Sequence, residues 1–324
     1  MRRNLAGSGL KMANGIAATE PVQSGHRLRF LGRDWQLGWA LVLPILVVLI
    51  GLIAYPFGLA IYLSFTNKMI GVPAKFVGLQ NYADLLFGAQ FGATFWQSVL
   101  TTLIYTGVAV GTKVVVGMGM ALFLNEEFPG RGLMRAVCFL PWAIPSIIVG
   151  LDWQWILNGS PAGMLNQILI DLGLSNTLIQ WLGDPHLALW SVIFVTIWAG
   201  VPFYGMMFLA GLQSIQRELY EAASIDGASV IQRYRHVTLP GLSSVIFITV
   251  MLSTIWTANN FNLIYILTGG GPINSTMTFP MFTYQVGIAG AQQLGTASAI
   301  TVLFLPFFLV LIVLLTRRML VEEV

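Results

Sequence analysis

The sequence predicts an all-α integral membrane protein of six transmembrane helices, and three observations predict it. Of its 324 residues, 56% are hydrophobic and only 9% are charged. A soluble domain carries about 25% charged residues, so the polar surface that would cover this apolar bulk in water is missing. The apolar residues are also gathered into runs of the length a bilayer demands, roughly 20 residues per helix. Finally, the runs show none of the polar–apolar alternation that a spanning barrel needs in strands of about 10 residues. A helix closes its own backbone hydrogen bonds in lipid, so a continuous apolar run reads as helix.

Taken in order, the expected spans are residues 38–63, 98–124, 133–151, 187–212, 243–267 and 296–315. Polar joints containing Gly and Pro separate them, as at 125–132 and 268–275. Together they form a six-span membrane domain over 37–316, between an N-terminal tail, 1–36, and a short C-terminal tail, 317–324. The first run follows no small-residue cleavage site and is long enough to span, so it reads as a retained helix, not a signal peptide. The segment before it is expected to be mobile.

Charge sets the orientation. Arg2, Arg3, Lys11, Arg27, Arg29 and Arg33 precede the first span. Arg131 and Arg135 lie in the second-to-third joint, Arg217, Arg233 and Arg235 in the fourth-to-fifth, and Arg317 and Arg318 in the tail. The three opposite joints hold only Lys68 and Lys75. Basic loops stay in the cytoplasm, which places both termini there and agrees with six spans. The net charge of +3 is therefore a topology signal, and no nucleic-acid partner is expected.

Several chemistries are disfavoured. Ionisable groups inside a membrane are costly and functional, yet no Asp, Glu or His lies mid-span; Asp152, at one end of the third span, comes nearest. A proton-coupled carrier lacks its titrating group, although a sodium-coupled carrier is less strongly excluded. The closest approach to a nucleotide loop, Gly107-Val108-Ala109-Val110-Gly111-Thr112-Lys113, has the wrong spacing and lies in an apolar helix. Gly107 and Gly111 there read as a small-residue helix-packing pair. His26, His186 and His236 are scattered without metal-ligand spacing. No catalytic constellation of an embedded enzyme is visible, and the lone Cys138 reads as packing.

The joint 214–242 differs from the others. Ile215, Leu219, Ala222 and Ala223 share a helical face, and Glu218 and Glu221 lie early in that helix, where the dipole favours acids. Asp226-Gly227 interrupts it, and Asp226 is expected to cap a second short helix with Val230, Tyr234 and Val237 on one face. Leu239-Pro240-Gly241 is expected to end that helix. Such a helix–turn–helix either rests on the bilayer or docks on a protein; its small alanines and central glycine suit a protein contact.

Glu221-Ala222-Ala223, Gly227 and Val237-Thr238-Leu239-Pro240, in this spacing, resemble the EAA loop of bacterial ABC importer permeases, with Val237 where the family usually has Ile. Gly78-Leu79-Gln80-Asn81-Tyr82, Leu140-Pro141 with Pro145, Gly163-Met164-Leu165-Asn166 and Thr268-Gly269-Gly270-Gly271-Pro272 with Ser275-Thr276 resemble the carbohydrate branch, the maltose- and glycerol-phosphate-permease-like proteins. The resemblance covers the chain after about residue 37.

The resemblance implies a type I ABC importer permease fold in the bacterial inner membrane. It implies a second homologous permease subunit, two cytoplasmic ATPase subunits that bind the ATP and Mg, a periplasmic solute-binding protein, and no cofactor or bond chemistry in this chain. Glu221, Ala222, Ala223, Asp226, Gly227, Leu239 and Pro240 become the ATPase-coupling residues, with Glu221 orienting the loop by polar contacts. The competing class is an ion-coupled sugar carrier.

Sugars are read by aromatic and polar side chains, and the fifth span carries Trp256, Asn259, Asn260, Asn262 and Tyr265 alongside Thr257. These either line a substrate path or hydrogen-bond between helices. Trp153, Trp155, Trp181 and Trp190 read as interfacial belt residues. Lys113 is more than two turns from either end of its span and must face a polar cavity or a partner. It either makes a structural hydrogen bond to a neighbouring span or places a positive charge near the path. The latter would favour a uronate, alginate-type or glycerol-phosphate-like solute over a neutral sugar.

Overall fold

The computed structural model describes residues 34–322. The expected N-terminal tail therefore lies outside the described residues as far as residue 33, as do the last two residues of the C-terminal tail. The chain divides into two units, Met1–Tyr55 and Pro56–Val324.

The first unit contributes helix α1 (Asp34–Leu49) and a π-helical turn, Ile50–Ala54. Leu41, Ile45, Val48 and Leu52 are all exposed. A helix apolar on every side finds its solvent in lipid or against another chain. The apolar helical stretch Gly38–Ser64, 27 residues, is long enough to cross a bilayer.

The second unit opens with α2 (Tyr55–Ser64) and a short outer helix, α3 (Gln80–Phe87). The buried amide of Asn81 donates to the Ser64 and Thr66 carbonyls, both at 2.8 Å. The Tyr82 and Ser64 hydroxyls meet at 2.7 Å. These bonds staple the joint to the end of α2.

Next come α4 (Gly92–Asn125), α5 (Arg131–Ala143), α6 (Ser146–Ile156) and α7 (Met164–Asp171). They are followed by α8 (Ala188–Ser214), the loop helices α9 (Arg217–Ile225), α10 (Val230–Arg233) and α11 (Leu239–Gly241), then α12 (Ser243–Ala258) and α13 (Asn262–Leu267). Helices α14 (Phe279–Tyr284) and α15 (Leu294–Glu322) complete the unit. Four helical stretches are long and apolar enough to span, and two bent pairs bring the total to as many as six.

Two of the expected spans are not continuous helices. Residues 133–151 form two helices, α5 and α6, bent by 92°. Pro145 forces Ile144 out of the helical region, to φ −77° and ψ 130°, because its ring crowds the preceding residue. Residues 243–267 break at 259–261, between α12 and α13. Here asparagine side chains compete for backbone partners. Asn259 Nδ2 donates to the Ile255 carbonyl at 2.9 Å, and Asn260 Oδ1 accepts from Leu263 N–H at 3.4 Å.

Helix α4 packs lengthwise on α8. The close approach is at Gly117, where any Cβ would collide with Tyr204, and at Gly205, where it would meet Met120 Sδ at 2.5 Å. Gly107 and Gly111, expected as the packing pair, are not at a close approach: a Cβ on either has nothing within 4 Å among the described residues. Gly107 instead lines an apolar cavity of about 460 Å³ beside Phe95, Phe304 and Phe307.

Two apolar clusters flank one level of this seam. The first holds Tyr105 and Ala109 of α4 with Val192 and Val195 of α8. The second holds Met118 and Ala121 of α4 with Tyr204 and Phe208 of α8. Lys113 and Gly200 fall between the two. Trp153 packs into the first cluster against Phe194 and Trp198, at ring separations of 5.3 and 5.4 Å. Trp181 also packs there and donates to Asn166 Oδ1 at 3.1 Å. Neither is the free belt residue expected, whereas Trp155 and Trp190 are exposed.

Candidate functional site: a cavity among the helices and the loop 214–242

Where α5 bends into α6 and α12 breaks before α13, a cavity of about 290 Å³ opens. This lies near the lower end of small-molecule sites. Helix α4 supplies Lys113, whose side chain is only 4% exposed. Its Nζ donates to Thr257 Oγ1 of α12 at 3.2 Å. Gly200 makes the space for it: a Cβ there would stand 2.6 Å from Lys113 Cε.

Aromatic rings build one wall. Trp142 of α5 stacks on Phe203 of α8 at 6.0 Å and 25°, and Phe203 meets Trp256 of α12 at 5.3 Å. Trp142 and Trp256 are each about half exposed, 49% and 55%, so their faces remain open. Polar atoms line the cavity from Ser146, Thr196, Ser253 and Asn260, and no acidic residue lines it.

Behind this lining runs a chain of hydrogen bonds. Thr196 Oγ1 donates to its own helix at the Val192 carbonyl, 2.8 Å. A hydroxyl has one proton, so the Tyr105 hydroxyl, 2.9 Å from Thr196 Oγ1, is the donor in that pair. Asn260 Nδ2 then donates to the Tyr105 oxygen at 3.1 Å. Fully buried Tyr105 thereby ties the break before α13 to α8.

The residues expected along the fifth span separate. Lys113, Trp256 and Asn260 meet in the cavity. Asn259, Asn262 and Tyr265 do not line it. Asn259 caps its own helix, Asn262 is exposed at the start of α13, and Tyr265 stacks on Phe261 at 5.2 Å. Lys113 makes the hydrogen bond to a neighbouring helix and also lines the cavity. Sequence reasoning missed Gly200, Tyr105, Trp142 and Phe203. Gly200 carried a faint signal as a small residue four positions before Tyr204 on a bulky span; the aromatics could not be told from lipid-facing ones.

The loop 214–242 folds as a helix–turn–helix. Helix α9 ends in a turn where Asp226 and Ala228 N–H groups return to the Ala222 and Ala223 carbonyls, at 3.0 and 2.9 Å. Gly227 takes φ +76°, a region open to glycine. The cap of the second helix is Ser229, not Asp226. Its Oγ accepts from Gln232 N–H at 3.4 Å, and Gln232 Oε1 accepts from Ser229 N–H at 2.7 Å, a reciprocal capping box. Ser229 wins because it stands three residues before a glutamine, whereas Asp226 sits inside the turn.

Nor do Leu239-Pro240 end the helix. Tyr234–Thr238 widens into a π turn, which carries the chain past the carbonyl the proline ring would strike, and α11 follows directly. The bend comes at Leu242, where α11 and α12 meet at 64°. Tyr220 and Thr238 hydroxyls, 3.0 Å apart, brace the two arms. Leu219, Ile225, Val230 and Ile231 are 51, 87, 71 and 70% exposed. Glu221 makes no hydrogen bond or ion pair to another described residue, so any polar contact that orients the loop through it comes from outside the described residues.

This helical order, with a cavity where α5 bends into α6 and α12 breaks before α13, is that of a type I ABC importer permease. The crystal structure of a bacterial ABC transporter involved in the import of the acidic polysaccharide alginate shares this fold: TM-score 0.72 at 23% identity, covering 90% of this chain and 96% of that one. Residues 113–319 match the family described as binding-protein-dependent transport system inner membrane component. Among the relatives is the trehalose/maltose transport system permease protein MalF of Thermococcus litoralis, 37% identical over 280 residues, 86% of this chain and 91% of that protein. Another is the sulfoquinovosyl glycerol transport system permease protein SmoG of Agrobacterium fabrum, 35% identical over 271 residues, 83% of this chain and 85% of that one. The chain belongs to the binding-protein-dependent inner-membrane permeases.

Proposed function

We infer that this chain carries a sugar or oligosaccharide through the membrane as one half of an ATP-driven importer. The cavity of about 290 Å³ carries the reading, because it joins open aromatic faces to buried polar groups at the level where two spans break. Aromatic rings bury the C–H faces of a sugar ring while polar groups select its hydroxyls. The names of the trehalose/maltose and sulfoquinovosyl glycerol relatives support a carbohydrate.

In this reading a second, homologous permease completes the path, and a periplasmic binding protein delivers the solute. Two cytoplasmic ATPase subunits bind ATP and Mg and hydrolyse the nucleotide; this chain performs no bond chemistry. The exposed apolar residues around Gly227, with Glu221, Ala222 and Ala223, dock into the ATPase. Closure of the ATPase pair then rocks the permeases between inward- and outward-facing states. Lys113, Trp256 and Asn260 belong to the substrate path. Asn259, Asn262 and Tyr265 act in it only through the positions they give to α13. Both termini lie in the cytoplasm.

The test is reconstitution of the purified complex into liposomes. ATP-dependent sugar uptake that needs both the binding protein and the ATPase is expected. Uptake driven by a sodium or proton gradient without ATP would establish the ion-coupled class instead.

A further inference from the structure

Lys113 presents a problem that the sugar reading alone does not solve. An ammonium group has three donors, and among the described residues its one hydrogen bond runs to a neutral hydroxyl, Thr257 Oγ1 at 3.2 Å. A hydroxyl does not neutralise a buried charge, which is stable away from water only when paired. The cavity it faces offers no acidic residue among its lining. A neutral sugar would be served as well by Gln or Ser at this place, without the desolvation of a full charge. The glycine at 200 leaves the space that the lysine's terminal atoms take: a Cβ there would stand 2.6 Å from Lys113 Cε, so the side chain would have to shift.

The aromatic wall adds a second, independent constraint. Trp142 and Trp256, each about half exposed, line the same cavity as the ammonium, with Phe203 between their rings. A small inorganic anion has no use for such a wall, and an uncharged disaccharide has no use for the cation. A ring carrying an oxoacid group uses both. The geometry also places Ser253 and Asn260 in the lining, where they can read ring hydroxyls.

We propose that this cavity selects anionic sugars, with Lys113 pairing to a carboxylate, sulfonate or phosphate on a ring that stacks against Trp142 and Trp256. The inference rests on the sugar-importer reading and sharpens it from carbohydrate to acidic carbohydrate. A charge-assisted hydrogen bond in a low-dielectric site is stronger than a neutral one, so the lysine discriminates against neutral competitors.

The experiment uses the complete transporter, with both permeases, ATPase and binding protein, in proteoliposomes. The probes are a uronate disaccharide, a sulfonated hexose, a hexose phosphate, and neutral trehalose and maltose. ATP-driven uptake of at least one anionic probe, in preference to both neutral sugars, is expected. Lys113→Met and Lys113→Gln are each expected to lower that uptake by roughly tenfold or more, the scale of one charge-assisted hydrogen bond, while Lys113→Arg retains most of it. Which anionic probe is carried identifies the oxoacid. Anionic uptake that survives in Lys113→Gln reduces the lysine to a hydrogen-bond donor and overturns the proposal. Transport confined to neutral sugars overturns it too, and leaves the sugar importer standing. Uptake of no sugar, in a complex that imports another solute, overturns the sugar reading itself. The probe panel is run on the unsubstituted protein, so a variant that fails to assemble does not rescue the idea.

Discussion

Lys113 and Gly200 are complementary across the α4–α8 seam: a Cβ on the glycine would stand 2.6 Å from the lysine's Cε and 2.9 Å from its Nζ. The position of one charge is thus set by the absence of one carbon atom. Along α4 the lysine stands between Tyr105 and Ala109 of one apolar cluster and Met118 of the other.

Gly200→Ala should therefore push the ammonium away from Thr257 and lower transport. The overpacking is expected to destabilise the protein by about 1–3 kcal/mol. Gly111→Ala on α4, where a Cβ has nothing within 4 Å, serves as the control and should change stability by no more than about 0.5 kcal/mol. Thermal unfolding of the detergent-solubilised proteins compares them, and equal loss in both variants would remove the pairing from the account.

Tyr105→Phe tests the chain behind the cavity. It leaves the Asn260 amide without its buried acceptor, while Thr196 keeps its bond to the Val192 carbonyl. The orphaned amide costs about 1–3 kcal/mol. Hydrogen exchange should quicken at residues 259–263, and unchanged protection there would show that the hydroxyl does not hold the break.

In the loop, Ser229→Ala removes the hydroxyl that accepts from Gln232 N–H at the start of α10 and leaves the backbone N–H bond to Gln232 Oε1 in place. The expected loss is about 1 kcal/mol of local helix stability. It is read as faster amide exchange over 230–233, whereas Asp226→Ala should leave that helix as it is. The reverse ranking would return the cap to Asp226.

Gly227 sits at φ +76°. A leucine there adopts a left-handed conformation that costs roughly 1–2 kcal/mol, and it enlarges the proposed docking surface. Gly227→Leu is expected to insert normally and to lose solute-stimulated ATP hydrolysis in the reconstituted complex. Wild-type stimulation would detach this turn from coupling.

Topology is checked by thiol labelling in a Cys138→Ser background. Ser160 and Glu218 are both exposed. An impermeant reagent on intact spheroplasts should label Ser160→Cys and spare Glu218→Cys. The opposite pattern inverts the membrane orientation.

What the sequence made legible follows from the reach of each signal. Apolar length marks where helices lie, and it placed α4, α8 and α15 within a few residues. It does not mark continuity, because one proline at 145 and two asparagines at 259 and 260 bend or break a run that remains apolar throughout. The loop motif was legible since turn chemistry is local: Gly227 announces its own backbone. The cap was misread because Asp226 and Ser229 both suit the role, and only the reciprocal bond from Gln232 decides between them. The cavity was half legible. Lys113 stood out as a charge in lipid, but Gly200 and Tyr105 matter through residues about 90 positions away, a relationship that no period or spacing encodes.

The two interrupted spans have a mechanical meaning. Helix α6 is bound to α13, with Gln154 Nε2 donating to the Ile266 carbonyl at 2.8 Å and Gly150 admitting the Ile266 side chain. Helix α5 is bound instead to α8 through the Trp142–Phe203 stack, and Arg135 Nη2 ties it to the Leu124 carbonyl of α4 at 2.9 Å. An unbroken rod carries a push at one end straight to the other. These rods are severed at mid-length, and each severed piece is bolted to a different neighbour. One block can tilt against the other by turning a few torsions at Ile144, Pro145 and 259–261, with every helical ladder left whole. The cavity lies along that joint, so a tilt of one block against the other would change its width.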